Sequence, residues 1–171
     1  MRVDMSRSKR LAGPLMAGLL SVALIQAVGM PAAQAAGKET IVRVSHGAVA
    51  PTLVQGEGLG AVRTFYIPTT VKGKSGPGYY LTGTLTTVAV GLPNDQELRT
   101  SNLTFVFGAE ANQIVVGGIS LYPSSSATLT TGQKTIRPVV GGSGTYNGAR
   151  GYLESTNRGP DGWTHVFHLL R

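Results

Sequence analysis

The chain has 171 residues, 15 Lys and Arg against 8 Asp and Glu, a net charge of +7 and no cysteine. The missing thiols exclude disulfides and thiolate metal sites. The basic excess does not point to nucleic acid: Arg2, Arg7, Lys9 and Arg10 sit together at the start, and the later cations are scattered, with no aromatic-interleaved basic stripe.

In chain order, that basic cluster is followed by an apolar, uncharged run over 11–30, by Pro31, and by Ala33-Gln34-Ala35. This is the layout of a secretory signal peptide over 1–35, cut between Ala35 and Ala36. An uncleaved membrane anchor is the alternative, because the apolar run approaches spanning length. Residues 36–171 are then one exported domain, extracellular or periplasmic, that meets a membrane only during export.

Beyond residue 36 helical periodicity is missing. Short runs rich in β-branched and aromatic residues alternate with Gly, Pro, Asn, Asp and Ser clusters. Eight strands are predicted, over 40–45, 61–67, 79–90, 99–107, 113–122, 135–140, 149–156 and 163–170. Gly91-Leu92-Pro93-Asn94-Asp95 and Asn157-Arg158-Gly159-Pro160-Asp161-Gly162 carry turn chemistry. The segment 47–60, with Pro51 and several glycines, reads as a mouth-covering loop or a linker. Eight strands without a helix favour a closed antiparallel barrel or a sandwich, and closure removes the exposed edges.

The last strand shows the pattern of the interior. Trp163, His165, Phe167 and Leu169 share one face, and Thr164, Val166, His168 and Leu170 the other. Neither face is polar enough to be simply solvated. One is expected to line a cavity and the other to be covered by a second copy, in a dimer or trimer, or by the chain's own loops. His165, between Trp163 and Phe167, is the candidate polar group of the cavity. Tyr80, Phe105, Phe107, Trp163 and Phe167 are the candidate wall, which suits an apolar small-molecule ligand. His46, His165 and His168 lack metal-ligand spacing, so no metal is expected.

The stretch Val139-Val140-Gly141-Gly142-Ser143-Gly144-Thr145-Tyr146-Asn147-Gly148-Ala149-Arg150-Gly151 is the most specific motif. Gly141, Gly142, Gly144, Gly148 and Gly151 frame a turn in which Tyr146 and Arg150 are the only large side chains. It resembles the signature hairpin of the dirigent and allene oxide cyclase barrel superfamily, where Gly-Gly-(Thr/Ser)-Gly-x-(Tyr/Phe), followed in the dirigent branch by Ala-Arg-Gly, links two late strands. The likeness extends weakly from about Tyr79 to Leu170. It implies an all-β, eight-stranded antiparallel closed barrel with no cofactor. It also implies that Arg150 lies in the cavity and handles substrate; Tyr146 and His165 are the further candidates for polar contact with it. A structural ion pair with Glu154 is the competing role for Arg150. The chain departs from the coupling dirigents by having no acid at Ser143-Gly144-Thr145 and no aspartate in 41–46. Neither radical coupling nor allene oxide cyclisation is therefore assigned.

Two function classes follow. One is a secreted barrel that binds an apolar molecule and steers its cyclisation or coupling, as a cofactor-free cyclase, isomerase or stereochemistry-directing protein. The other is a non-catalytic carrier or surface-interaction barrel. Whether a reaction is catalysed stays open at the level of sequence.

Overall fold

The structure, a computed structural model, describes residues 38–124 and 126–170. The expected signal peptide and its cleavage site lie outside the described residues. The chain forms β1 (Glu39–His46), β2 (Thr52–Gln55), β3 (Val62–Pro68), β4 (Thr70–Val71), β5 (Tyr79–Leu92), β6 (Gln96–Phe107), β7 (Gln113–Pro123), β8 (Lys134–Gly142), β9 (Arg150–Asn157) and β10 (Trp163–Leu170). Each of the eight predicted runs is a strand within three residues of its expected ends. The short β2 and β4 are additions, and β2 lies in the segment read as loop or linker.

All pairings are antiparallel, in one sheet of order β2-β3-β5-β6-β7-β8-β9-β10-β1-β4. The β5–β6 hairpin turns through Asn94 and Asp95 at φ 61° and 52°, a conformation these two residue types tolerate. The segment containing β3 and β4 joins the two ends of the order. Its first part pairs with β5, and its last two residues pair with β1, as Val44 with Val71 and Ser45 with Thr70. The expected all-β antiparallel architecture is thus observed as a strongly curled half-barrel, whose ends meet through this short seam and not through the continuous closure of the expected barrel.

A second weak seam lies between β7 and β8, where pairing is confined to Ile114, Val115 and Val116 with Gly142, Gly141 and Val139. The next residue of β8 is Pro138, which has no N–H to donate, so the ladder stops there. Gly118 lies against the Pro138 ring, where an added Cβ would sit 3.1 Å from Pro138 Cδ.

The concave face carries the core, including Val44, Leu103, Phe105, Ile114, Leu153 and Phe167. Burying each such side chain stabilises the fold by about 1.5–3 kcal/mol. The expected alternation of β10 holds: His165, Phe167 and Leu169 are buried, while Thr164, Val166 and His168 are half-buried on the convex side. On β5 the inward residues are Leu81, Leu85 and Thr87. Tyr80 therefore lies on the convex face, 5.0 Å from the ring of the exposed Tyr66, and is not a cavity residue. The convex face also exposes Ile119, Leu121, Ile136 and Val140.

Candidate functional site

The concave side has two openings separated by aromatic packing. Phe105 and Phe167 meet edge to face at 4.9 Å, Phe107 touches Phe167 at 6.0 Å, and Tyr146 lies on Phe107 at 4.5 Å. On the far side Phe105 meets His165 at 5.1 Å, and His165 stacks on Trp163 at 6.0 Å. Phe105, Phe107 and Phe167 thus pack across the middle of the barrel, and of these predicted wall residues Phe107 also borders the opening beside Tyr146.

At the Trp163 end a cavity of about 60 Å³ remains. Its wall includes Phe65, Ile67, Leu81, Leu85, Leu103 and Trp163, with Tyr122, Arg137, Ser155 and His165 as its polar groups. Val49 and Pro51 from the 47–60 segment, and Ala127 and Thr128 from the loop after β7, complete it. Within 47–60, read as a mouth-covering loop or a linker, Val49 and Pro51 thus border the cavity and Thr52–Gln55 pairs with β3. Arg99 ties the other loop down, donating from Nη1 to Ala127 O at 2.9 Å and from Nη2 to Ser126 O at 2.6 Å. Asn157 Nδ2 also donates to Leu129 O at 2.7 Å.

His165 is 4% exposed. Its Nδ1 lies 2.9 Å from Ser155 Oγ, and its Nε2 has no hydrogen-bond partner among the described residues. Burial, then the neighbouring His46 and Arg137, hold its pKa well below the ordinary 6.5, so the ring is neutral at pH 7. With Ser155 donating to Nδ1, Nε2 carries the proton and can donate it to a bound oxygen; in the other tautomer Nε2 accepts. His46, 5.1 Å from His165, is also lowered by burial, against the raising effect of its contact with the Gly47 carbonyl.

Beside it lies a buried polar network that the sequence reading did not find. Arg137, 3% exposed, donates from Nε to Ser101 Oγ at 2.9 Å, from Nη1 to Thr135 Oγ1, and from Nη2 to Tyr122 Oη at 3.0 Å. Arg99 lies over the Tyr122 ring at 4.3 Å and pairs through Nε with Glu97. Glu97 also accepts from Thr87 Oγ1 at 3.0 Å and lies 3.6 Å from Arg63 Nη1. No group of three or more His, Cys, Asp or Glu able to hold a metal exists among the described residues.

Sequence comparison finds no matching family profile and no matching curated protein. Comparison with solved structures does find likenesses. Pyocyanin demethylase aligns with TM-score 0.54 and 21% identity, over 77% of this chain and 99% of that one. The pterocarpan synthase dirigent protein GePTS1 aligns with TM-score 0.51 and 13% identity, over 77% and 84%. The Diels Alderase AbmU from Streptomyces koyangensis aligns with TM-score 0.53 and 13% identity, over 82% and 72%. The chain has the dirigent-type barrel fold.

Within that dirigent-type fold the residues expected to act together are dispersed. Arg150 is exposed and belongs to the convex side of β9, because Leu153, Ser155 and Asn157 are the inward residues of that strand. The inward guanidinium predicted there is thus overturned. Its expected structural partner Glu154 pairs instead with Lys134 at 2.9 Å. Tyr146 closes a short 3₁₀ turn, Gly144–Tyr146, at the opposite opening, where it lines a second cavity with Lys72, Lys74, Tyr79, Phe107 and Asn112. Among the turn glycines, Gly151 has φ 125°, and a Cβ there would strike the His168 carbonyl. The glycine motif therefore lets β9 approach β10 closely and does not build the Trp163-end cavity. Of the three residues expected to act on substrate, His165 alone lines that cavity, with Trp163 as its one wall residue among the five predicted. His168, on the other face, stacks on Tyr152 and binds Glu39 at 2.7 Å.

Proposed function

We propose that this protein binds an apolar small molecule in the Trp163-end cavity and steers its cyclisation or coupling by orientation, without a redox cofactor. The observation that carries this reading is the buried Nε2 of His165, which has no hydrogen-bond partner among the described residues and lies in a largely apolar cavity wall. A buried polar atom without a bond costs about 1–3 kcal/mol, a cost that a bound ligand oxygen would offset. A neutral imidazole in that position also favours charge developing on oxygen more than it favours the uncharged ground state. Shape supplies the remainder: rigid aromatic and aliphatic walls hold a flexible chain or two reacting rings in one arrangement. Two of the structural neighbours, a Diels Alderase and a pterocarpan synthase dirigent protein, bear names that fit this class of chemistry. The cavity is small, so it would take a ring-sized portion of the ligand, with the rest passing between the Val49–Pro51 and Ala127–Thr128 loops. The 1–35 leader read from the sequence makes the site of action extracytoplasmic in this reading.

Native mass spectrometry of protein purified from its own host tests the proposal. The expected result is a bound small molecule on the wild type that is lost in Leu103→Phe, which fills the cavity. A second reading, an interaction barrel, draws on the filled middle of the barrel and the apolar residues exposed at Ile119, Leu121, Ile136 and Val140. Ligand-free mass in both proteins, together with self-association of the wild type, would favour it.

A further inference from the structure

We infer that the ligand of the Trp163-end cavity carries one negative charge, as a carboxylate or a phenolate on an apolar ring, and that Arg137 is the residue that receives it. This deepens the small-molecule reading above and rests on it.

The argument begins with charge balance. Arg63, Arg99 and Arg137 lie in one region with Glu97, so three guanidinium groups are set against a single carboxylate. That carboxylate is committed to Arg99 and lies near Arg63. Arg137 makes no ion pair among the described residues, and its acceptors, Ser101, Thr135 and Tyr122, are all neutral hydroxyls. A guanidinium is a permanent cation with five N–H bonds in a fixed fork. Three are accounted for, which leaves two for a further acceptor. Buried charges are normally paired, because hydroxyls alone repay only part of the lost hydration. Of these three guanidinium groups, the one without a counter-charge among the described residues is the one that lines the Trp163-end cavity.

The surroundings fix the rest of the chemistry. Tyr122 gives its hydroxyl oxygen to Arg137 and its ring face to Arg99, so the fork of Arg137 is held in one orientation. His165 lines the same cavity with its partnerless Nε2. An anionic oxygen held by the guanidinium would sit among donors, while Phe65, Leu81, Leu85, Leu103 and Trp163 enclose the ring. A dianion such as a phosphate ester is disfavoured, because a single unpaired guanidinium serves the cavity. A cationic ligand is excluded by like charge.

Trp163 is the chain's single tryptophan and lies in the cavity wall, so its fluorescence responds to a ligand bound there. The probes are benzoate and 4-nitrophenolate, with benzamide and 4-nitroanisole as uncharged counterparts, titrated into the folded protein at low salt and checked by calorimetry. The expected result is that each anion binds at least tenfold more tightly than its counterpart. Arg137→Met should reduce that preference to less than threefold. Should Arg137→Met fail to fold, the wild-type preference at 20 mM and 500 mM salt decides: a preference retained at high salt marks a buried pair. Equal binding of anions and uncharged counterparts overturns the charge assignment and leaves the cavity reading standing. No change in Trp163 emission or heat with any probe overturns the cavity reading itself, and the assignment with it.

Discussion

Replacing His165 and Ser155 together, as His165→Phe with Ser155→Ala, should make the protein more stable while removing its ligand. His165 Nδ1 and Ser155 Oγ are mutual partners at 2.9 Å, so exchanging both for apolar groups is nearly neutral for that bond. Nε2 is different: it is buried with no partner, and its removal relieves a desolvation cost of about 1–3 kcal/mol. Phenylalanine keeps the ring contacts with Phe105 and Trp163, which are worth about 0.5–1.5 kcal/mol each beyond burial and would vanish with an aliphatic side chain. The adjoining cavity of about 60 Å³ accepts the slightly larger ring without overpacking. The net expectation is a gain of about 1–2 kcal/mol, or roughly 4–8 °C in Tm for a domain of this size. His165→Phe alone strands Ser155 Oγ, a penalty of the same size as the gain, and should leave Tm within about 3 °C of wild type. Differential scanning calorimetry with near-ultraviolet circular dichroism at pH 7.5 measures all three proteins. A double variant less stable than wild type by about 2 kcal/mol or more would refute the reasoning, since it would mean that Nε2 is satisfied and contributes to the fold.

Other outcomes follow from the same geometry. The pKa values of His165 and His46 are lowered chiefly by burial, so the unfolded chain takes up protons first as pH falls below 6.5. Stability should hold steady above pH 6.5 and decline below it, by about 1.4 kcal/mol per pH unit for each histidine still neutral in the fold. Urea unfolding at pH 7.5 and 5.5 checks this, and greater stability on acidification would contradict it. Glu97→Gln leaves Arg63 and Arg99 without their carboxylate and should cost about 3–5 kcal/mol in urea unfolding; a loss under 1 kcal/mol would mean that the network is wet. Arg150→Ala, on the exposed convex side, should change stability by less than about 0.5 kcal/mol and leave Trp163-reported binding intact.

Much of the fold was legible because its strands are long and punctuated. The period-two alternation of β10 placed His165, Phe167 and Leu169 on one face, which is the inward one, and turn residues located the β5–β6 and β9–β10 hairpins. The strands β2 and β4 carried too little pattern: β4 is two residues long, and all four residues of β2 are exposed, so no face is marked. The site was harder. In β8 the apolar parity is inverted, with Ile136 and Val140 exposed while Thr135 and Arg137 are buried. Register against β9 sets this, since Arg137 pairs with Leu153 and Thr135 with Ser155, whose inward parity is fixed. No local reading of β8 contains that information. The signal that was available lies in β6: Glu97, Arg99 and Ser101 share the inward face with Leu103 and Phe105, and charge in line with core residues marks a buried cation. Arg150 went astray for the opposite reason, because the resemblance of the glycine turn outweighed the parity of Leu153.

The most direct test of the cavity claim is a crystal structure of the protein grown with benzoate. The account predicts the ring between Trp163 and the Leu81–Leu85 wall, with a carboxylate oxygen about 3 Å from His165 Nε2 and from an Arg137 nitrogen. Benzoate found only elsewhere, or His165 Nε2 bonded to another part of the chain, would contradict it.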